Sequence, residues 1–203
     1  MNNTTSFILK PIFGDLNEKG LKIQDILIYI AIRSFKTSNH KCYPRYTDIS
    51  EISGCSTKVI RNGIKRLQSA GFLKVFKIEK SKHKFAYTFN DDLQFQLIPD
   101  DIFFAEDLSV KEKATLLVIN EHNEEGFAGV GVEIAENADL PLKTFKKCYE
   151  KLKSECYLFE DIDYCDIDNV FLPFIFLWSD RINLGSGEIF DIYNIPECDF
   201  EIK

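Results

Sequence analysis

The sequence predicts a mainly α-helical protein with small β-hairpins, laid out as two similar units in tandem. Three observations carry this. Segments of helical apolar periodicity lead into alternating β-formers; the second half repeats the apolar positions of the first in register; and charge divides sharply between the halves. Of the 25 Lys and Arg, 16 fall in residues 1–98 and 9 in residues 99–203, whereas the 32 Asp and Glu split 8 and 24, so a net charge of −7 conceals a basic half and an acidic one. The halves are built to face different partners.

In "LKIQDILIYIAIRSF", Ile23, Leu27, Ile30 and Ala31, helped by Ile26, form the apolar stripe of a helix over residues 22–35. A polar turn follows. Thr47 and Asp48 of "YTDISEISG" supply capping oxygens for a short second helix, and Gly54, free to take positive φ, ends it. Ser56 or a neighbour caps a third helix running to Ser69 or Ala70, with Ile60, Ile64 and Leu67 on one face, and Gly71 stops it. "FLKVFKIE" and "KFAYTF" around the polar "KSKHK" then read as a hairpin. Helix, short helix, turn, third helix and hairpin is the order of a winged helix-turn-helix.

The order recurs. Shifted by 85 positions, "DISEISG" meets "EIAENAD", and Ile60, Ile64, Leu67, Phe72 and Leu73 land on Phe145, Tyr149, Leu152, Tyr157 and Leu158. The first helix aligns with "LSVKEKATLLVINEH" at a shift of 87, and the lead-ins "FILKPIFGDL" and "FQLIPDDIFFAEDL" each carry an early proline and a leucine just before the helix. We therefore read two tandem winged helix-turn-helix domains, a basic one over residues 1–94 and an acidic one over residues 95–180, with an extension over residues 181–203. No Gly/Ser-rich linker separates them, so the two should pack against each other.

Around "KCYPRYTDISEISGCSTKVIRNGIKRLQSAGFLK" the chain resembles winged helix-turn-helix proteins of plasmid and phage replication initiation and related regulators. Tyr43-Pro44 stands where those proteins place an aromatic and a proline before the second helix. Ser56 to Val59 opens the recognition helix, and Leu67 to Leu73 forms the closing Leu-x-x-x-Gly-x-Leu-like element. The resemblance implies DNA-binding architecture, in replication initiation or transcription regulation, and leaves the target sequence unspecified.

At 100° per residue the apolar face of the third helix leaves Lys58, Asn62, Lys65 and Ser69 opposite, flanked by Arg61 and Arg66. Lys and Arg neutralise phosphates or fork onto guanine, and an Asn amide matches adenine in the major groove. Ser56 and Thr57 offer hydroxyls and free backbone N–H groups to a phosphate at the helix start. Lys80, Lys82 and Lys84, with Lys77 and His83 beside them, make a basic wing. The expected partner is duplex DNA. A second candidate surface, for DNA or a partner, is the helix "LPLKTFKKCYEKLKS", which carries Lys143, Lys146, Lys147 and Lys151. The turn after it, "FEDIDYCDIDN", is acidic and repels phosphate, which directs the second half towards a protein partner or self-association. An adaptor that binds a host or replication protein is the alternative reading.

Other classes lack their residues. The six Cys include no C-x-x-C pair and the three His stand apart, so neither zinc-finger spacing nor a nuclease-type metal cluster is present, and reduced structural thiols are expected. "FAGVGVE" is not a phosphate loop, and the acidic turn lacks the spacing of a calcium loop. A non-enzymatic protein without cofactors is expected. With no secretory signal pattern at the start and no apolar run approaching about 18 residues, the expected location is cytoplasmic, with no membrane partner.

Overall fold

The computed structural model describes residues 7–36, 41–78, 85–90, 93–124, 131–155 and 157–158. A first strand, β1 (Phe7–Pro11), leads into α1 (Gln24–Ser34), the short strand β2 (Lys41–Cys42), α2 (Tyr46–Ser53), α3 (Thr57–Ser69) and the hairpin strands β3 (Leu73–Lys77) and β4 (Phe85–Phe89). β2, β4 and β3 form an antiparallel sheet in that order, with Cys42 opposite Tyr87 and Val75 opposite Tyr87 from the other side. Mainly helical, with a small three-stranded sheet, this is the architecture of a winged helix-turn-helix. The third strand was not anticipated, because two residues are too short to show a periodicity.

α1 differs from the one-sided helix its stripe suggests. Every residue from Asp25 to Arg33 is buried. The physical reason lies in Ile28, Tyr29 and Ile32, which make the helix apolar all round, as a central helix must be. α2 and α3 cover one side of it, and α4 (Val110–Glu124) covers another. On the remaining flank Phe13, Tyr29, Phe72 and Phe89 pack ring to ring at centroid distances of 4.7 to 6.3 Å, contacts that add to the burial of the rings themselves.

After β5 (Phe95–Pro99) and a 3-10 turn (Asp100–Phe103), α4, α5 (Gly131–Asn137) and α6 (Leu142–Ser154) follow, and they pack on one another as α1, α2 and α3 do. Local detail recurs at the expected shift. α2 ends at Gly54 with φ +69°, and position 139 takes the same left-handed turn with an aspartate, φ +53°. Past α3 the Phe72 N–H donates to the Leu67 carbonyl at 2.9 Å; past α6 the Tyr157 N–H donates to Leu152 at 2.8 Å. Ile60, Ile64, Leu67, Phe72 and Leu73 are buried, as are Phe145, Tyr149, Leu152, Tyr157 and Leu158. The acidic turn and the extension lie outside the described residues.

The two halves pack against each other. β5, which the sequence assigns to the second unit, pairs antiparallel with β1 of the first, and Leu9 sits opposite Leu97. Aligning Pro11 on Pro99 puts Leu9 on Leu97, so Phe7 faces Pro99 while its counterpart Phe95 faces Pro11. α1 and α4, also counterparts, pack together. The start of α1 reaches the end of α5 through the Lys22–Asp139 ion pair, and the start of α4 reaches the end of α2, where a Cβ added at Gly54 would lie 3.0 Å from Val110. Backbone N–H groups of Leu16 and Asn17 donate to the Asn137 carbonyl. One apolar core therefore runs through both halves.

Within it lies a buried ion pair. Lys10 on β1 is fully buried and bonds Glu121 on α4, whose other oxygen accepts the Gly14 N–H at 2.6 Å. Cys42, Cys55 and Cys148 are buried free thiols; burial pushes Cys42 up to about 12 and raises the other two, which suits packing and not nucleophilic chemistry. Among the described residues no helix is long and apolar enough to cross a membrane.

Candidate nucleic-acid interface

α2 and α3 are joined by a tight turn with its own hydrogen bonds. The Arg45 N–H donates to Asp48 at 2.8 Å at the start of α2, so Asp48 serves as the capping carboxylate. At its end Gly54 donates to the Ser50 carbonyl, the Ser50 hydroxyl donates to Cys55 O at 2.7 Å, and the Ser53 hydroxyl donates to Ile49 O. Ser56 then caps α3, its hydroxyl accepting the Val59 N–H at 3.5 Å. The angle between the two helices is thus fixed by local chemistry as well as by Ile49, Ile60 and Ile64 in the core.

Three contacts hold α3 on α1. Ile60, Ile64 and Leu67 are buried. Gly63 sits where the helices approach so closely that an added Cβ would come 2.5 Å from Ile28 Cδ1 and 2.6 Å from Asp25 Oδ1. One turn on, Arg66 forks onto Asp25, Nε to Oδ2 at 2.6 Å and Nη2 to Oδ1 at 2.7 Å. Asp25 is fully buried and also accepts the Lys22 N–H at 2.9 Å. Those hydrogen bonds raise the Arg66 pKa above its ordinary value.

Ser56, Thr57, Lys58, Arg61, Asn62 and Lys65 are all exposed, along the side of α3 turned away from the core. The structure brings these together. Arg66, placed by the sequence on the flank of the same face, is instead half-buried and committed to Asp25, so it positions the helix. An aspartate in the first turn of α1, followed by a long apolar run, was the available signal for such a partner. Of the wing, Lys74 and Lys77 on β3 are exposed; Lys80, Lys82, His83 and Lys84 lie outside the described residues. On α6, Lys143 and Lys147 are exposed, Lys146 is half-buried, and Lys151 pairs with Glu155 one turn away.

Replacing Arg66 with methionine keeps the packed stem but leaves the Asp25 carboxylate buried without its fork. Stability should fall by about 3 kcal/mol, the lower end for a broken buried pair because the Arg66 side chain retains 27% of its exposure. Urea unfolding measures this. The ranking of duplexes bound by the folded fraction should stay as in the parent; a changed ranking would return Arg66 to the contact surface.

Residues 19–73, from just before α1 to the first residue of β3, match a family of helix-turn-helix domains. No curated protein and no solved structure matches the chain. Fold and match agree over this part of the chain, where α1, α2, the turn and α3 have the order of a helix-turn-helix domain.

Proposed function

We propose that the chain binds duplex DNA with sequence preference through α3, as a non-enzymatic factor in replication initiation or transcription regulation. The observation that carries this is the single exposed polar row of Lys58, Arg61, Asn62 and Lys65 on a helix locked to its scaffold by Gly63 and the Asp25–Arg66 fork. Rigid support matters because base readout requires side chains held in register with the groove. α4, α5 and α6 form, in this reading, a second unit of the same kind. Its net charge of −15, from 9 basic and 24 acidic residues beyond position 98, favours a protein partner or a second copy over phosphate.

Selection of bound duplexes from a random pool by the full chain, followed by anisotropy titrations, tests the proposal. Arg61→Ala and Asn62→Ala should each cut the preference for the selected duplex over a scrambled one by about ten-fold if they read bases. Lys58→Ala and Lys65→Ala should weaken all duplexes alike and lower the salt slope by about 0.9 per lost phosphate. A pool that yields no enriched sequence, from a chain that is folded, would leave the adaptor reading in possession.

A further inference from the structure

Two of the large apolar side chains most exposed in the described residues lie close together in the fold. Tyr43 is 53% exposed and Phe76 50%. Phe76 on β3 is paired with Ala86 on β4, and Tyr43 directly follows Cys42, whose partner on β4 is Tyr87. Carried one residue past Cys42, the same register leads Tyr43 towards the edge of β4 opposite Phe76, so the two exposed aromatics lie on either side of that strand. Neighbouring strands lie about 4.8 Å apart, so their Cα positions are separated by about 10 Å. The next row of the same face, about 7 Å along the strands, is Lys41, Thr88 and Lys74, and both lysines are exposed. The opposite face, with Cys42 and Tyr87, is buried in the core.

We propose that this outer face of the three-stranded sheet binds single-stranded nucleic acid, with bases stacked on the exposed rings of Tyr43 and Phe76 and a phosphate near Lys74. The chemistry favours this occupant. None of the six positions in the two rows is acidic, so the face suits a polyanion. Its exposed rings are useful to unstacked bases, which a duplex keeps inside its own stack. The face belongs to the sheet and not to α3, so it does not depend on α3 reading duplex, although it shares β3 with the wing.

The test is anisotropy of a fluorescein-labelled oligothymidylate titrated with the full chain. The parent should bind it, and Tyr43→Ala and Phe76→Ala should each weaken binding by about ten-fold, while Phe76→Trp retains it. Lys74→Ala should lower the log–log salt slope by about 0.7. Thermal melts should match the parent, because both rings are half exposed, and affinity for a selected duplex should be unchanged in the Tyr43→Ala/Phe76→Ala variant. Undiminished oligothymidylate binding in that double variant overturns the proposal. So does equal loss in Arg61→Ala, which would put both ligands on α3. A concentration-dependent dimer abolished by the double variant, with no oligothymidylate binding by the parent, would show that a second copy covers the face instead.

Discussion

Gly63→Val is expected to lower the unfolding free energy by about 3 kcal/mol and to abolish duplex binding near physiological temperature. Overpacking a close-packed core typically costs about 1–3 kcal/mol, and a β-branched residue gains little of the helix propensity that alanine would add. At this position the first added carbon already meets Ile28 and Asp25 at 2.5 and 2.6 Å. Ile28 is fully buried and Asp25 is held by Arg66 and by the Lys22 N–H, so neither neighbour has an empty direction to move in. α3 must then lift from α1, which strains the fork that orients its exposed row. Gly63→Ala should show the same effect in smaller measure, because roughly 1 kcal/mol of helix propensity offsets the crowding. Urea unfolding of both variants checks this, and an alanine variant more stable than the parent would mean that the two helices do not approach as described.

Lys10→Met should be at least as damaging, by about 3–5 kcal/mol, because it strands the Glu121 carboxylate in the core that joins the halves. Lys10 has no exposed side-chain surface and Glu121 has 4%. The ammonium also donates to the Pro11 carbonyl at 3.3 Å and lies 5.6 Å from the centre of the Phe13 ring. Glu121→Gln in the same chain removes the stranded charge while leaving an oxygen for the Gly14 N–H. The double variant should therefore recover part of the loss, with a coupling energy of about 1–3 kcal/mol in a double-mutant cycle. Additive losses would show that the two groups do not sense each other. Because one core spans both halves, the parent should unfold in a single transition.

Much of α3 was legible because its determinants are local. Ser56, the spacing of Ile60, Ile64 and Leu67, and Gly71 fix where the helix starts, which face it buries and where it stops, and the exposed row is what remains. Arg66 was misplaced for a geometric reason. It sits at the edge between the two faces, where periodicity cannot say whether a long side chain reaches out to a phosphate or back to a carboxylate on another helix. The likeness of the two lead-ins was visible, yet likeness reports equivalence and not contact, so the pairing of β1 with β5 was beyond it. Lys10 reads in sequence as an ordinary surface lysine; only Glu121, brought over from α4, makes its burial tolerable.

The β1–β5 ribbon also bears on the order of events during synthesis. Phe7 finds its partner only when Pro99 has been made, and at roughly 5–20 residues per second the first strand waits for about 5–20 s. Throughout that interval its unpaired edge is open to any passing chain, the situation in which strands aggregate. Two residues at the end of β1 guard it. Pro11 has no N–H to offer, and Lys10, with Glu121 not yet translated, still carries its charge into water, as gatekeeper residues do. The residue that later becomes the most deeply buried cation among the described residues begins as the strand's protection against strangers.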